Sequence, residues 1–583
     1  MSTSYTPAQL AKLTAAQLNA LGASVFSSLT SAQAQALSAA QLNGLTKANF
    51  DALNVSYLSN AQISGLSAAS LGYLTLGQTA ELTTTEIAAF TASQLSSLPN
   101  ADLAALTKAQ AQALTASQIS GMSVAAFDAL ALGNLLGAQF GGVTAAEMSS
   151  ISTANFDKYV APALAFVGAA GLTGVTLTQA QSLSAAQING LTTAEVAGLS
   201  SVVAAYVKDY RGVFAQLALV ETQGALTFAG AQSLLQAEAV GGMSAGKFAA
   251  LQAVASELNA PGGVVASAEV QQLFDDVVLG NAANRSWTGG AATSVALGNL
   301  SASSTATQTN ELIGKWFLGS DDPSIVGPGM VSGSTYKAAT GSLFGASGVL
   351  SYTQVNQGDV GDCYFVAALA GLAQQDPSLV KNMITVNGNG TYTVDFWNGA
   401  NQTSDYVTVD SSLAYMNGYR YASGSTLMFD NGGASGVLWS SVVEKAFVEF
   451  ETQSGRADSY AAISGGWDNG LAALTGQTIQ DYTPAGDTST QLGALLSTMQ
   501  NALSSGNVVL MNDSSANSAL HLVGSHMYDV LAVNAAAGTV TLDNPWNGNG
   551  ALNGSGMVFT DALSSLANAG STFHVAVGAA RTH

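Results

Sequence analysis

The sequence has little charge and few acid-base groups. Charged residues make up only 9% of its 583 residues, against about a quarter in an average globular protein. Acidic residues outnumber basic ones by 36 to 15, which gives a formal charge of -21. Such a field repels nucleic acid and anionic membrane surfaces, so neither is an expected partner.

Cysteine is almost absent as well, because Cys363 is the only one. An intrachain disulfide is therefore excluded, and a lone cysteine is more often a small buried apolar residue than a nucleophile. The N-terminus lacks the basic start and continuous apolar run of a signal peptide. No run of about 20 strongly apolar residues predicts a membrane span. We expect a soluble protein, with enough of its 48% hydrophobic residues to form a sizeable core.

A leucine-like residue recurs every eight positions through the N-terminal third, in units such as LTAAQLNA and LTASQISG. Ser or Thr followed three residues later by Gln or Glu is a capping box, which begins a helix. The boxes include Thr14 with Gln17, Ser38 with Gln41, Thr83 with Glu86, Thr91 with Gln94, and Thr115 with Gln118. A continuous helix would spread the leucines over all its faces, because the stripe would drift by about 80° per unit. The pattern predicts an α-helical solenoid of short stacked helices, and Ala and Gln argue against a β-solenoid.

The composition divides the chain into three predicted domains. Residues 1–135 form the eight-residue-repeat helical solenoid, and residues 136–280 a degenerate helical repeat or linker region. Residues 281–583 contain every tryptophan, every histidine and the cysteine. In this third domain 391–399 and 404–410 alternate as half-buried strands do, and 364–374 predicts a buried helix, so the fold is α+β.

The residues around Cys363 predict a nucleophile. The segment QGDVGDCYFVAALAGL delivers Cys363 to a helix start, where the positive end of the helix dipole favours thiolate. The Gln357 amide could donate to an oxyanion beside the Cys363 backbone N–H. Downstream, His521 and His526 are candidate bases, and Asn544 is a candidate group to orient the imidazole.

Four ordered motifs resemble the calpain family of cysteine proteases, in particular its bacterial members. They are QGDVGDCYFVAALAGLA, the segment 438–466 around EKAFVEF, GSHMYDV and DNPWNG. A shorter match, at 298–321, resembles the leader segments of bacterial calpain-like proteins. The resemblance implies a papain-like core of two lobes with the active-site cleft between them.

Carried over to this sequence, the resemblance makes the domain a cysteine endopeptidase that acts on protein or peptide substrates. Cys363, His526 and Asn544 would form the triad, with Gln357 as oxyanion donor. Trp546 would shield the His–Asn hydrogen bond, and Gly361 and Asp362 belong to the motif that positions the cysteine. His526 is preferred to His521 because it precedes the Tyr-x-Val pattern.

One departure from the family concerns calcium. Animal members carry an Asp ligand three residues before the oxyanion Gln, and here that position is Gln354, a weaker ligand. Glu444, in the Glu-Lys-Ala-aromatic motif, remains a candidate calcium ligand, and no EF-hand loop occurs. We therefore expect no required cofactor and no calcium activation by the family's usual route.

Two other classes of function share these features. A non-enzymatic surface or adhesion protein could keep a vestigial protease fold, and a Cys-dependent acyl transferase could use the same triad. The repeats fit a spacer or display scaffold, or an adhesive surface that contacts a cell-surface or matrix partner. The acidic, Gly-, Ala- and Ser-rich composition resembles bacterial proteins exported without a cleaved N-terminal signal peptide. We expect a secreted or cell-surface location, with the cytoplasm as the alternative.

Overall fold

A computed structural model describes residues 5–327, 332–417, 425–432, 436–465, 469–546 and 558–581. Contacts divide the chain into two compact units, Met1–Gly212 and Val213–His583, called here the N-terminal and C-terminal units. The predicted domain ends at 135 and 280 stay predictions. The C-terminal unit takes in helices from before residue 281.

The N-terminal unit is a series of short helices. They are α1 (Pro7–Leu10), α2 (Ala15–Leu21), α3 (Ala23–Phe26), α4 (Ser31–Gln35), α5 (Ala39–Asn43), α6 (Lys47–Asp51), α7 (Asn60–Ser64), α8 (Ala68–Leu71), α9 (Leu76–Glu81), α10 (Thr84–Ala89), α11 (Ala92–Leu95), α12 (Asn100–Ala104), α13 (Lys108–Gln112), α14 (Ala116–Gly121), α15 (Val124–Asp128), α16 (Ala145–Ser150), α17 (Thr153–Asn155), α18 (Ala169–Thr173), α19 (Leu177–Ser182), α20 (Ala185–Gly190), α21 (Thr193–Gly198) and α22 (Ser201–Val220), the last crossing the unit boundary.

Capping explains why these helices are short. All five capping boxes named from the sequence are present. After α10, for example, the backbone of Phe90 is extended, and Thr91 then caps the next helix, α11. Helices three positions apart in the chain pack together, as α1 does on α4 and α10 on α13. The leucine-like residues of the eight-residue pattern are buried in this packing from Leu29 to Leu130.

The glutamine of the capping box has a second role, which the sequence reasoning missed. Gln118 Oε1 accepts from the Thr115 backbone N–H at 2.7 Å. Its Nε2 donates to Ile87 O and Phe90 O, each at 2.8 Å. One amide therefore caps its own helix and also binds the end of a helix 28 to 31 residues earlier. Gln41, Gln62, Gln110 and Gln179 make the same kind of bridge.

The C-terminal unit mixes helices and strands, as predicted. Its helices are α23 (Phe228–Ala239), α24 (Ala245–Glu257), α25 (Ala268–Val278), α26 (Ala306–Ile313), α27 (Cys363–Gln375), α28 (Pro377–Asn382), α29 (Trp439–Gln453), α30 (Asn469–Thr475), α31 (Ser489–Ser504) and α32 (Leu563–Ala569). Its strands are β1 (Ser286–Trp287), β2 (Val295–Ala296), β3 (Thr335–Ala338), β4 (Ile384–Val386), β5 (Thr391–Asn398), β6 (Thr403–Asp410), β7 (Ser412–Asn417), β8 (Ser425–Leu427), β9 (Thr478–Tyr482), β10 (Val509–Asp513), β11 (His526–Asn534), β12 (Thr539–Asp543), β13 (Val558–Ala562) and β14 (Thr572–Val577).

Two parts of this unit position the site. The strands β13-β12-β11-β10-β14-β9 form a six-stranded antiparallel sheet over a core that it shares with α31 and α32. A second core surrounds α27 and α29. Helix α27 is buried from Cys363 to Ala373, as a helix that is apolar on every face must be, which confirms the predicted buried helix.

The strands predicted at 391–399 and 404–410 are present as β5 and β6. They pair with β4 in a three-stranded sheet. β5 is more buried than the predicted half-buried pattern, since Thr393 through Phe396 are all buried. The reason is that α29 and α30 pack on β5 while α25 packs on β6. No helix in the described part of the chain has the length and apolarity to cross a membrane.

Candidate active site

Cys363 is the first residue of α27, directly after the N-cap Asp362. The loop before it is held by close backbone approach. Gly361 O accepts from Gly465 N at 2.9 Å, and a Cβ on Gly361 would lie 2.6 Å from Ser464 Oγ. A side chain at position 361 would therefore require the Ser464 hydroxyl to move away.

His526 and Asn544 occupy neighbouring strand ends in the six-stranded sheet. His526 begins β11, and Asn544 directly follows β12, the strand paired with β11. His526 Nε2 lies 2.9 Å from Asn544 Oδ1. The prediction that both lie near strand ends is confirmed.

The hydrogen bonds fix the tautomer of the imidazole. Asn544 Oδ1 also accepts from the Trp546 backbone N–H at 3.0 Å. Because a backbone N–H can only donate, the asparagine atom at this position must be its oxygen. The facing Nε2 of His526 is then the donor. Neutral His526 therefore carries its proton on Nε2 and has its lone pair on Nδ1.

Two contacts bring the histidine strand and the cysteine helix together. Helix α27 packs on β11, and the Met527 backbone forms a hydrogen bond with the Cys363 thiol. The Gln357 backbone N–H also donates to Pro545 O at 2.9 Å. The loop before the cysteine is thereby tied to the segment that carries Asn544 and Trp546.

Aromatic rings surround His526 and exclude water from it. The Trp546 ring lies 4.5 Å from the imidazole, and the Tyr528 ring meets it edge-on at 5.0 Å. Burial lowers the pKa of His526 to about 4, with the Asn544 hydrogen bond acting in the opposite direction. His526 is thus a neutral base at physiological pH.

The predicted lowering of the thiol pKa is wrong for this structure. Burial raises the pKa of Cys363 to about 11, and the nearby Asp362 acts in the same direction, although the Met527 backbone opposes it. Loss of water around the sulfur outweighs the favourable helix start. Both the Cys363 thiol and the His526 imidazole are therefore neutral at physiological pH.

Gln357 lies beside the cysteine loop but binds its own segment. Its Nε2 donates to Val360 O at 2.8 Å and lies 3.4 Å from Asp362 Oδ1. His521, the other candidate base, adopts a left-handed backbone conformation, and its ring packs 5.5 Å from that of Phe559. Asn544 binds His526.

Behind the cysteine lies a group of buried carboxyls. Burial raises the pKa of Asp362 to about 7, and Glu444 forms a hydrogen bond with it. Glu444 Oε2 also accepts from the Asp430 backbone N–H at 3.0 Å. Burial raises the pKa of Asp430 to about 7 as well. Sequence reasoning missed Asp430, which precedes Asn-Gly-Gly and has the appearance of an ordinary turn residue.

Gln354, which stands where the family has an acidic calcium ligand, is bound to protein groups. Its Oε1 accepts from Trp439 Nε1 at 2.9 Å, and its Nε2 donates to Val349 O at 3.0 Å. Glu444, the one candidate calcium ligand named from the sequence, contacts Asp362 and Asp430 as described. Asn547 and Gly548, the last residues of the DNPWNG motif, lie outside the described residues.

The sequence reasoning also missed a carboxyl pair beside the triad. Asp529 on β11 faces Asp543 on β12, and both are buried. Burial raises the pKa of Asp543 to about 7 and that of Asp529 well above its usual value, with Asp543 adding to the effect. The sequence signal that could have revealed this pair is an acidic residue inside each of two apolar strand patterns.

Comparisons with known proteins agree with the motifs. Residues 339–557 match the family described as calpain family cysteine protease. A stretch of 213 residues is 26% identical to Calpain-8 of Mus musculus, covering 33% of this chain and 28% of that protein. Another of 134 residues is 28% identical to Calpain clp-4 of Caenorhabditis elegans, covering 22% of this chain and 16% of that protein.

The chain thus spans less than a third of the length of each of these two relatives. Residues 339–557 are a calpain-family cysteine protease domain, which confirms the resemblance at the level of the domain. The rest of the chain lies outside this match.

Proposed function

We propose that the C-terminal unit is a cysteine endopeptidase with Cys363, His526 and Asn544 as its triad. The observation that carries the proposal is the double hydrogen bond to Asn544 Oδ1, from His526 and from the Trp546 backbone. It leaves Nδ1 of His526 as the basic nitrogen. A neutral imidazole fixed in one tautomer is what a general base requires.

In this proposal the proton moves as the carbon–sulfur bond forms. Cys363 Sγ attacks the substrate carbonyl while its proton passes to His526 Nδ1. His526 then protonates the leaving amine, and the acyl group stays on sulfur as a thioester. Water, deprotonated by His526, cleaves the thioester and restores the thiol. Because the resting pair is neutral, charge develops only as the thiol reacts.

The oxyanion would be bound by the Cys363 backbone N–H and by Gln357. The Gln357 amide has two N–H groups, and one is held firmly by Val360 O at 2.8 Å. The contact with Asp362 is long, at 3.4 Å. We propose that the second N–H turns to the substrate oxygen when substrate binds, while the Val360 contact keeps the amide in place.

The finer architecture is also a proposal. The core around α27 and the core beneath the six-stranded sheet would be the two lobes of a papain-like protease, with substrate bound between them. Calcium would not be required for the chemistry, since Gln354 is engaged by Trp439 and Val349.

The N-terminal unit would be a helical solenoid whose building block is the eight-residue unit. Support comes from the capping boxes and from the glutamine bridges between distant helices. Its sparsely charged, hydroxyl-rich surface would space or display the protease and contact a cell-surface or matrix partner. We propose a secreted or cell-surface location for the whole protein.

Turnover of a casein-like substrate tests the catalytic proposal. Wild type should release peptides with new free carboxyl ends, and Cys363→Ala should release none while keeping the wild-type circular dichroism spectrum. An added primary amine should not appear in the products. A folded wild type without turnover, an active Cys363→Ala, or transfer to the amine would each overturn the proposal.

A further inference from the structure

The loop that carries Gln357 lies directly on the backbone of residues 428–430. Two residues after Gln357, the Asp359 backbone N–H donates to Met428 O at 3.0 Å. A Cβ on Gly358 would lie only 2.3 Å from the same oxygen, so no side chain fits at that position. The C-terminal side of the loop is therefore fixed by direct contact between the two backbones.

The N-terminal side of the loop is held by one buried side chain, that of Asp430. Its Oδ2 accepts from the Asn356 backbone N–H at 3.0 Å. Its Oδ1 accepts from the Gly432 backbone N–H at 3.1 Å and from the Ser440 hydroxyl. Three donors thus converge on two oxygens, and both oxygens act as acceptors. Because Asn356 directly precedes Gln357, this contact lies one residue away from the proposed oxyanion donor.

Asp430 is itself fixed, so it can anchor the loop. Its backbone N–H donates to Glu444 Oε2 at 3.0 Å, and its backbone oxygen accepts from the Ser441 hydroxyl at 2.6 Å. Both partners belong to α29 and are buried. The contacts therefore run from a helix of the core, through Asp430, to the residue before Gln357.

The side chain of Gln357 has few contacts of its own. Its Nε2 donates to Val360 O at 2.8 Å, while its Oε1 has no hydrogen-bond partner among the described residues. An oxyanion donor is effective only when its N–H is already directed at the position where the charge develops. A displacement of about 1 Å can lower the rate about a hundredfold. The position of this amide therefore depends on the backbone that carries it.

We propose that Asp430 is a positioning residue of the protease, which holds the Gln357 amide at the oxyanion site through the Asn356 backbone. The inference rests on the proposed function, in which Gln357 stabilises the oxyanion. Asp430 contacts neither Cys363 nor the substrate in this account. Its loss should therefore weaken the binding of an oxyanion-like group and leave the reactivity of the thiol in place.

Two reagents applied to the full chain separate these effects. With a peptide aldehyde, Cys363 Sγ bonds to the carbonyl carbon, and the thiol proton passes through His526 to the aldehyde oxygen, which then lies in the oxyanion site. With a simple alkyl epoxide, the sulfur opens the ring and the ring oxygen takes the proton, so no carbonyl oxygen enters that site. The epoxide rate is measured by intact mass. The Kd of the aldehyde is measured from its protection of Cys363 against the epoxide.

Asp430→Asn replaces one acceptor oxygen by an NH₂ group, which cannot accept from the donors around it. We expect the Kd of the aldehyde to rise about tenfold or more. The epoxide rate should stay within about twofold of wild type, since Cys363 and His526 keep their contacts. Ser440→Ala keeps the carboxylate but removes one of its donors, so it should raise the Kd by a smaller factor. The exposed Glu257→Gln is the surface control and should match wild type.

A second background shows whether Asp430 acts through Gln357. Gln357→Ala alone should raise the Kd of the aldehyde at least as much as Asp430→Asn does. Adding Asp430→Asn to Gln357→Ala should raise it no further, because the amide that Asp430 positions is gone. A residue that only stabilises the fold would have the same effect in both backgrounds.

The outcomes distinguish this inference from the proposed function. A wild type whose Cys363 reacts no faster with the epoxide than a denatured chain would overturn both. If wild type reacts faster, an unchanged Kd in Asp430→Asn, an equal rise in the Gln357→Ala background, or an equal loss of epoxide reactivity would overturn the role of Asp430 alone. If Asp430→Asn does not fold, Ser440→Ala decides, and an unchanged Kd in that variant would overturn the role.

Discussion

At the scale of single residues, the sequence identified the catalytic candidates but not their protonation. Cys363, His526 and Asn544 were predicted from their spacing and motifs, and the structure brings His526 and Asn544 into contact. The direction of the thiol pKa could not be predicted. It depends on how much water the fold removes from the sulfur, and burial here outweighs the helix start. Asp430 and Asp529 were missed for the same reason, since a carboxyl becomes informative only when its burial is known.

The two histidines provide a matched test of the base. His526→Ala should lower kcat/KM by about 10²–10⁴-fold, because it removes the proton acceptor. His521→Ala should stay close to wild type, since the His521 ring packs against Phe559. Steady-state kinetics on one peptide substrate measures both. A stronger loss in His521→Ala than in His526→Ala would contradict the assignment.

At the scale of elements, helix starts were predictable and the links between distant helices were not. A capping box is local, so Thr115 and Gln118 reveal it in four residues. The carbonyls that bind the other end of Gln118 lie 28 and 31 residues earlier. That pairing depends on how the helices stack. It also explains a preference for Gln over Glu, because an amide can accept at the cap and donate to the bridge.

Glu147 tests this dual role. It caps with Thr144, but its Oε1 is buried without a hydrogen-bond partner among the described residues, and burial raises its pKa. Glu147→Gln should keep the cap and add a donor, which raises the free energy of unfolding by about 1–3 kcal/mol. The reverse change, Gln118→Glu, should lower it by a similar amount. Denaturant unfolding measures the free energy of unfolding of both variants. A Glu147→Gln variant that is less stable than wild type would contradict the bridging role.

The Asp529–Asp543 pair predicts how stability depends on pH. Both carboxyls have raised pKa values when folded, about 7 for Asp543, against about 3.9 when unfolded. The folded state therefore holds protons that the unfolded chain releases. The stabilisation that these bound protons give the folded state is complete below about pH 4 and is lost as the pH rises through about 7. The pKa of His526 is lowered from 6.5 to about 4. This histidine therefore makes stability rise with pH, but only between those two pKa values.

The unfolding temperature of wild type should consequently fall between pH 6.5 and pH 8. Asp543→Asn keeps the shape of the side chain without the ionisation, so its fall should be shallower. Calorimetry at both pH values gives the comparison, with Glu257→Gln as the surface control. Equal slopes in wild type and Asp543→Asn would show that the pair does not titrate in this range.

At the scale of the whole molecule, composition and contacts place the boundary between the two parts of the chain at different residues. Every tryptophan, every histidine and the cysteine lie after residue 281, whereas the compact C-terminal unit begins at Val213. Helix α25 explains the difference, because it lies between Val213 and residue 281 and binds strand β6 of the C-terminal unit. Gln272 Nε2 donates to Asp405 Oδ1 at 2.9 Å, and its Oε1 accepts from Tyr406 N at 3.2 Å. Composition could not reveal this, because α25 lies before the tryptophan- and histidine-containing part of the chain yet packs on β6.

Three fragments test where the protease part of the chain begins. Residues 213–583 should fold and retain peptidase activity close to that of the full chain. Residues 281–583 should unfold at a lower temperature, because they lose α25 and the contact between the Phe228 and Phe317 rings. Residues 1–212 should be helical by circular dichroism and inactive. Equal unfolding temperatures for the two longer fragments would place the functional boundary near 281.

The reactivity of the single cysteine tests the central claim most directly. A thiol-directed epoxide can attach only at Cys363, so its rate of attachment, measured by intact mass, reports on one sulfur. Although Cys363 is buried, we predict faster labelling in the folded full chain than in the denatured chain. His526→Ala should abolish this excess. Labelling that is slower in the folded protein, or equally fast in His526→Ala, would contradict a triad built on Cys363.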